Sequence, residues 1–399
     1  MKGTKYKKLE DIEEVFNISD LSEFKYHLNN NNEIKFWINN DFNSFLILAI
    51  IKNTKIKLIN YIIKRYTCSE EYIIQFLNIK KNKIHLSKSQ LQNIINKENI
   101  KINGTDCFGS TPLHYACHAN KDDIVKILVG TGADINAKKK NGITPLLQAC
   151  INGNDKMIEY LIEKGADINA NEQDGWTPLL YSCFNGNDKM IKYLIEKGAN
   201  INAKKQDGWT PLLYACFDDN DEIIKLLIEK GADINACKKN GWTPLLFACD
   251  NGNDKMIKYL IEKGANVNAK EQNGSTPLLN VCDNGNNKMI KYLVEKGANV
   301  NVKDNKGRTP LHLACKQNIN EIITYLVEKG ANVNAKDNMG KTVLMYASNV
   351  NPNSDIIEYL KKIREENYKK KLKILMNIIE FFILSLILLV VIKVYFLNA

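Results

Sequence analysis

The chain has 399 residues, which is longer than one ordinary domain and favours two or three. Hydrophobic residues make up 44% and charged residues 25%, a globular composition that excludes wholesale disorder. The net charge of +10 would suit a nucleic-acid-binding protein, but the lysines are spread along the chain instead of forming a patch, so we expect no nucleic acid as a partner. Ten cysteines without an N-terminal apolar leader favour a reducing compartment and free thiols.

The N-terminal region carries weak patterns only. Residues 1–40 have a helical pattern, interrupted by a predicted loop at residues 29–32, and we assign them to no known unit. Residues 41–103 contain short apolar runs that resemble, in a degenerate form, a pattern that becomes clear further along the chain.

A unit of 33 residues repeats through the middle of the chain. Threonine recurs at this spacing eight times, from Thr111 to Thr342, and proline follows it in the first seven copies. Glycine, from Gly132 to Gly330, keeps the same period, as does cysteine, from Cys117 to Cys315. A fixed period of this length indicates a repeat architecture.

Each unit predicts two short helices. Thr-Pro is typical of a helix N-cap followed by the first helical residue, and an apolar run such as residues 179–183 then forms the first helix. A second helix ends where Gly198 can adopt a left-handed conformation. An extended segment, residues 199–203, and an Asp-Gly turn are predicted to lead into the next unit. The apolar positions of the second helix share one face: Met190, Ile191, Leu194 and Ile195.

These motifs, G-x-T-P-L at the start of a unit and G-A-[DN]-[IV]-N-[AV] at its end, resemble the ankyrin repeat over roughly residues 103–347. The resemblance implies an all-α fold, a solenoid of helix–turn–helix units with β-hairpin loops, here over residues 104–363, preceded by degenerate ankyrin repeats over 41–103. The family motif T-P-L-H is complete only at His114 and His312, so we expect its histidine–threonine bond to be absent from most units.

The composition becomes basic and then apolar after residue 363. Residues 364–373 are predicted to be a basic juxtamembrane linker, with the basic flank Lys369, Lys370, Lys371 and Lys373. Residues 374–397 are predicted to be a single transmembrane helix, because the largely apolar residues 374–392, at about 1.5 Å each, approach the ~30 Å hydrocarbon core. The apolar residues at the centre of the span are Phe381, Phe382, Ile383, Leu384, Leu386, Ile387, Leu388, Leu389, Val390, Val391 and Ile392.

Two observations favour a span over a helix that caps the solenoid. A capping helix would keep a polar face, whereas residues 381–392 are apolar on every side apart from Ser385. Glu380 and Lys393 lie about two turns from the centre, where a charge costs less than the about 2.5–3.5 kcal/mol of mid-bilayer. Positive charge before the span predicts a cytosolic N-terminus, in a layout that resembles a tail-anchored protein.

No catalytic or metal site is predicted. The cysteines spaced by 33 residues are expected to fill the core, since zinc prefers cysteine pairs separated by two to four residues. Cys107 and Cys237 differ because they fall on predicted loops. A phosphate-binding glycine-rich loop is also missing, so we expect no enzyme, no cofactor, no metal ion and no small-molecule substrate.

The family resemblance places protein-partner contacts on loop tips and on the concave face of the first helices. The tip residues before Thr-Pro include Ile143, Trp176, Trp209, Trp242 and Arg308, and the concave residues after the cysteine include Ile151, Phe184 and Phe217. Three tryptophans could supply up to roughly 600 Å² of a contact surface. In the competing interpretation they are copies kept by duplication, each packed on its own hairpin.

The sequence thus predicts a non-enzymatic scaffold, single-pass in a membrane through residues 374–397, that binds a protein partner in the cytosol. Two alternatives remain open. One is a soluble ankyrin adaptor or inhibitor whose C-terminal segment docks on a partner or caps the array. The other is a regulatory subunit of a membrane enzyme or channel, with Asn377 and Glu380 meeting a partner helix.

Overall fold

The computed structural model describes residues 103–105 and 108–397, with the backbone alone for residues 390–397. The predictions for residues 1–40 and for almost all of 41–103 lie outside the described residues. The described part of the chain contains sixteen helices, as the all-α prediction requires, and its only β pairing is an isolated bridge between Lys336 and Thr342. The chain divides into two compact units, residues 1–206 and 207–399.

The described part of the first unit consists of three helix pairs. The first helices of the pairs pack side by side, and each packs on the second helix of its own pair. The pairs are α1 (Pro112–His118) with α2 (Asp122–Gly130), α3 (Pro145–Ile151) with α4 (Asp155–Glu163), and α5 (Pro178–Phe184) with α6 (Asp188–Glu196).

The second unit continues the same pattern with five pairs. Its first helices again pack on one another in chain order, and its last helix packs on α15. The pairs are α7 (Pro211–Phe217) with α8 (Asp221–Glu229), α9 (Pro244–Asn251) with α10 (Asp254–Glu262), α11 (Pro277–Asp283) with α12 (Asn287–Glu295), α13 (Pro310–Lys316) with α14 (Asn320–Glu328), and α15 (Val343–Val350) with α16 (Asp355–Leu397).

Polar side chains start both helices of a pair. The Thr177 hydroxyl accepts from the backbone N–H of Leu180 at 3.3 Å, which confirms the threonine as an N-cap. The second helix uses asparagine: Asn187 Oδ1 accepts from the backbone N–H of Met190 at 3.1 Å. The amide of Asn187 also donates to Asp155 of the preceding pair at 2.8 Å, so one side chain both caps its helix and joins two repeats.

The second helices end as predicted. Gly198 has φ +89°, and its N–H donates to the Ile195 carbonyl at 3.1 Å, while the Ala199 N–H donates to the Leu194 carbonyl at 2.9 Å. This pair of bonds is the Schellman motif, which requires the left-handed conformation that glycine adopts without strain.

The segment after this glycine differs from the prediction. Residues 199–203 were expected to be extended, but Ala203 N–H donates to the Asn200 carbonyl at 3.1 Å and closes a turn. Asn200 stabilises this turn, since its side-chain oxygen accepts from the Asn202 N–H at 3.0 Å. The hairpin loops are likewise tight turns in the described residues, as where Lys238 N–H donates to the Trp242 carbonyl at 3.0 Å.

The two histidines of the complete motif make the bond that the family resemblance implies. Nδ1 of His114 lies 2.9 Å from the Thr111 hydroxyl, and Nδ1 of His312 lies 2.9 Å from the Thr309 hydroxyl. In a central repeat the equivalent residue is Leu213, and Thr210 keeps its cap through the backbone N–H of Leu213 at 3.3 Å. The cap therefore survives without the histidine.

Helix α16 is continuous over 43 residues. Its first turns form the second helix of the last pair, where Ile356, Ile357 and Leu360 are buried. Residues 364–373, predicted as a linker, are helical and join the last pair directly to the apolar segment.

Candidate protein-binding surface

Trp209 lies at the centre of an aromatic group in the second unit. Its ring stacks on Tyr214, five residues further on, with centroids 4.3 Å apart and planes at 13°. The edge of Phe217 meets the same ring at 5.8 Å. Lys238, from the next loop, places its ammonium 4.2 Å from the ring centroid, a cation–π contact.

Phe247 of the following pair connects two of the predicted tryptophans. Its centroid lies 5.7 Å from Trp209, 5.9 Å from Phe217 and 4.8 Å from Trp242. Phe247 and Tyr214 are buried, the two tryptophans are half-buried, and Phe217 is 58% exposed. We call these five residues the second aromatic cluster: Trp209, Tyr214, Phe217, Trp242 and Phe247.

A smaller group of the same kind lies in the first unit. Trp176 stacks on Tyr181 with centroids 4.6 Å apart, and the edge of Phe184 meets it at 5.4 Å. The ammonium of Lys205 lies 4.1 Å from the Trp176 centroid. Phe184 is 60% exposed, so this first aromatic cluster (Trp176, Tyr181 and Phe184) also presents a ring to solvent.

Among the remaining predicted contact residues, the two isoleucines are at least partly accessible to solvent, whereas Arg308 is hydrogen-bonded within its own loop. Ile151 is 41% exposed, and Ile143 is half-buried. Arg308 is engaged within its own loop, because its Nε donates to Asp304 Oδ2 at 2.7 Å and its backbone N–H donates to Asp304 Oδ1 at 2.8 Å. It is therefore tied to the loop that carries it.

Sequence reasoning missed the buried and half-buried rings that support the tryptophans. Tyr181, Tyr214 and Phe247 each stand five residues after a tryptophan, and each contacts it. The signal was the repeat register itself, since all three occupy the same position of the 33-residue unit. Each tryptophan contacts the ring five residues further on in its own pair, Trp209 also contacts Phe247 of the next pair, and Phe184 and Phe217 are more than half exposed.

Carboxylates lie at the ends of the first helices next to the second aromatic cluster. Asp218 follows α7, Asp250 lies in the last turn of α9, and Asp283 ends α11. The Lys316 ammonium pairs with Asp283 at 2.9 Å. Partial burial raises the pKa of Asp218 above its ordinary value.

The cysteines of the 33-residue series are core residues, as predicted. All seven, from Cys117 to Cys315, are buried. Burial raises the pKa of several of these thiols above its ordinary value, including those of Cys216 and Cys249. A buried thiol that resists ionisation is a poor nucleophile and a poor metal ligand. The described residues contain no group of three or more His, Cys, Asp or Glu side chains arranged to hold a metal ion.

Between residues 374 and 389, helix α16 exposes its apolar side chains on every side. Phe381 and Phe382 are each 68% exposed, and the most apolar stretch of the helix is not buried against the repeats. It is the one helix of the described residues that is long and apolar enough to cross a membrane.

The pattern of paired helices agrees with comparison to known families. A model of the ankyrin family, described as "Ankyrin repeats (3 copies)", matches residues 19–172, 135–205, 170–238, 204–271, 220–304, 266–337 and 282–372. No curated protein matches the chain. Members of this family generally act as protein-interaction modules without enzymatic activity. Because the matched ranges together run from residue 19 to residue 372, well over half of the 399 residues, the chain belongs to the ankyrin repeat family.

Proposed function

We propose that this chain is a non-enzymatic scaffold that holds a protein partner at a membrane, with its repeats in the cytosol and the apolar end of α16 across the bilayer. The observation that carries the proposal is the exposure of the apolar part of α16: its apolar side chains between residues 374 and 389 face outward on every side, and none of its most apolar stretch packs on the repeats. An apolar surface of this extent is unfavourable in water and marks an interaction site.

The length and charges of the segment support a span. Residues 374–397 in a helix extend over about 36 Å, enough for the ~30 Å core with some tilt. Each Leu, Ile, Val or Phe near the centre contributes about 0.3–0.6 kcal/mol to insertion. Glu380 lies off-centre, and the basic flank Lys369–Lys373 precedes the span, which favours a cytosolic location for the repeats.

Alkaline extraction of membranes from cells that express the full chain tests the anchor. We expect the wild-type chain in the membrane pellet. Leu386→Arg with Ile387→Arg should move it to the supernatant, because two charges at mid-bilayer cost about 5–7 kcal/mol together. Leu372→Arg, in the basic segment just before the proposed span, is the matched control and should stay in the pellet. Wild-type chain in the supernatant would contradict the anchor and favour the soluble adaptor.

Protease treatment of sealed vesicles tests the orientation. The repeats of a cytosol-facing scaffold should be digested from the cytosolic side without detergent. Protection of the repeats until the vesicles are opened would contradict the proposed orientation.

Each unit contributes its own partner-contact residues in this proposal: the first aromatic cluster with Ile143 and Ile151 in the first unit, and the second aromatic cluster in the second unit. Phe184 and Phe217 are the most accessible of these residues, and both are more than half exposed, so replacing them should leave the fold intact. We expect Phe184→Ser with Phe217→Ser to lose a protein that the wild-type chain captures from a cell extract, as measured by mass spectrometry.

Tyr368, on α16, offers a control because it is 65% exposed and lies outside both clusters. Tyr368→Ser should capture the same proteins as the wild-type chain. Identical captured proteins for the Phe184→Ser/Phe217→Ser variant and the wild type would contradict the proposed contact residues.

A further inference from the structure

The exposed part of the second aromatic cluster is an apolar surface, and carboxylates lie at the neighbouring helix ends. Phe217 is 58% exposed, and its ring lies 5.8 Å from Trp209 and 5.9 Å from Phe247. Trp209 is already covered by the ammonium of Lys238, so the open ring of the cluster is Phe217. Phe217 ends α7, and the residues that follow it in space are the ends of α9 and α11.

These helix ends are aligned by hydrogen bonds within the second unit. The amide of Asn251 donates to the Cys216 carbonyl at 3.0 Å, and the amide of Asn284 donates to the Cys249 carbonyl at 3.3 Å. Each asparagine therefore joins the end of one first helix to the end of the preceding one. Phe217 and Asp250 follow the two joined carbonyls, and Asp283 precedes Asn284. These three residues occupy the same position at successive helix ends and therefore form a row that begins at the aromatic cluster.

Two of the three residues in the row, Asp250 and Asp283, are acidic, although negative charge is unfavourable at the C-terminus of a helix. The C-terminus of a helix carries partial negative charge, so Asp250 and Asp283 in the last turns of α9 and α11 oppose the helix dipole. The corresponding positions of the first unit hold Ile151 and Phe184, followed by asparagine. Among near-identical repeats, aspartates that oppose local stability indicate a role outside the helix.

Two carboxylates at these helix ends, those of Asp283 and Asp219, have partners within the chain. Lys316, from the next repeat, reaches Asp283 Oδ1 at 2.9 Å. Asp219 accepts from the amide of Asn253 at 2.9 Å. In the part of the chain that the structure describes, Asp218 and Asp250 form no ion pair. Asp218 directly follows Phe217 in the chain, and Asp250 occupies the position of Phe217 in the next repeat. Their negative charge is opposite in sign to the net charge of +10 of the whole chain.

We infer that the surface around Phe217 binds an arginine- or lysine-rich segment of the protein partner, whose cations lie on the Phe217 ring and pair with Asp218 and Asp250. Guanidinium suits this site because it stacks on aromatic faces and pairs with carboxylates in a planar geometry. The inference rests on the proposed function and names the chemistry of the partner at that surface.

The repeat spacing also predicts the spacing of the cations. Adjacent packed helices stand about 8–10 Å apart, and a peptide in the polyproline II conformation advances about 3.1 Å per residue with three residues per turn, so that every third side chain lies on the same side. A segment that runs along the row therefore meets one helix end about every third residue. Basic residues at every third position should bind better than the same residues placed together.

Fluorescence anisotropy with the full chain in detergent tests the inference. The probe is a fluorescein-labelled peptide with arginine at every third position and alanine and valine between. The comparison peptides are its isomer with adjacent arginines and a version with glutamate in place of arginine. At about 0.1 M salt we expect the spaced peptide to bind the wild-type chain about tenfold more tightly than its isomer, and the acidic peptide not to bind.

Variants locate the binding. Asp218→Asn with Asp250→Asn, and separately Phe217→Ser, should each weaken binding of the spaced peptide by about tenfold. The matched control, Glu229→Gln with Glu262→Gln, removes two exposed carboxylates from the ends of α8 and α10 and should bind as the wild type does. The aspartate variant should unfold no more easily than the wild type, since it removes charges that oppose the helix dipole.

Two results would overturn the inference: equal binding of the spaced peptide and its isomer, or unchanged binding by the aspartate variant. An experiment can also distinguish a failure of this inference from a failure of the proposed scaffold function. A cellular protein whose capture is lost with Phe217→Ser but retained with Asp218→Asn/Asp250→Asn would overturn the cationic partner and support the surface. Capture retained by both variants would contradict both proposals.

Discussion

The ammonium of Lys238 lies 4.2 Å from the centre of the Trp209 ring, a contact between one loop and the loop of the preceding repeat. Lys205 covers Trp176 in the same way at 4.1 Å in the first unit. The next repeat has Glu271 at this position instead, and its buried carboxylate accepts from the backbone N–H of Asn273 and of Ser275. Neighbouring loops are thus stabilised by different means at equivalent positions.

This contact predicts a measurable contribution of Lys238 to stability. Lys238→Ala should lower the free energy of unfolding of the second unit by about 0.5–1 kcal/mol, the usual value of a cation–π contact near the surface. Urea unfolding followed by tryptophan fluorescence measures the change. Lys239→Ala is the control, since Lys239 is exposed and should change stability little. Equal effects of the two substitutions would contradict the role of the ring contact.

His312 predicts a loss of stability in mild acid. Burial lowers its pKa below the ordinary 6.5, and this outweighs the opposing hydrogen bond to the Lys341 carbonyl. Because the unfolded chain then binds the proton more tightly than the folded one, stability is lost as the pH falls through 6.5 and below. Protonation would also remove the acceptor at Nδ1, which receives the Thr309 N–H at 3.2 Å.

His312→Leu provides the matched variant, because the central repeats carry leucine here, as at Leu213 and Leu246. Thermal unfolding at a series of pH values should show a smaller decline in mild acid for this variant than for the wild type. Parallel declines for the two chains would assign the acid sensitivity to other groups.

Asn253 predicts separable contributions of a helix cap and of a bond between repeats. Its Oδ1 accepts from the Met256 N–H at 3.0 Å, and its amide donates to Asp219 and to Asp221, each at 2.9 Å. Asn253→Ala should cost about 1–2 kcal/mol through the lost cap, with a further loss from the two carboxylates. Chemical unfolding measures the sum.

Asn253→Asp distinguishes the two contributions. Aspartate keeps an acceptor for the Met256 N–H but faces Asp219 and Asp221 with a third negative charge. We expect this variant to gain stability with added salt, whereas Asn253→Ala should respond to salt as the wild type does. The absence of such a difference would show that the amide bonds contribute little.

Thiol reactivity should distinguish loop from core cysteines. Cys237 is exposed, whereas the seven cysteines of the 33-residue series are buried and free. Among these eight, iodoacetamide should label Cys237 first in the native protein, as read by peptide mass spectrometry. The buried thiols should react only after denaturant is added, because burial keeps them protonated and inaccessible. Early labelling of Cys216 or Cys249 would mean that the core opens locally.

The features that the sequence predicted best are those that depend on a few adjacent residues within one repeat. Thr177 and Gly198 were assignable because a helix start and a left-handed helix end each depend on a few adjacent residues. The buried cysteines followed from the same period. The role of Phe247 could not be read in this way, because its contact with Trp209 depends on how two neighbouring repeats pack.

One local feature was misread although the signal was present, and the conformation of another was left unassigned. Asn200 favours a turn through its own backbone over an extended segment, which explains residues 199–203. The segment 364–373 contains no glycine or proline and is rich in lysine, a residue that is favourable in helices, so its helical state follows from propensity. The contact role predicted for the aromatic residues, in contrast, depends on a partner and not on local conformation.

Because α16 is uninterrupted, one continuous helix rigidly connects the last repeat to the apolar end. Each residue of an α-helix advances about 1.5 Å and turns the chain by about 100°. Once the apolar end is held, the number of residues between Leu360 and Ile374 sets the rotational phase of the last repeat about the helix axis. Insertion or deletion of a single residue there would swing that repeat to another side without altering any contact inside it.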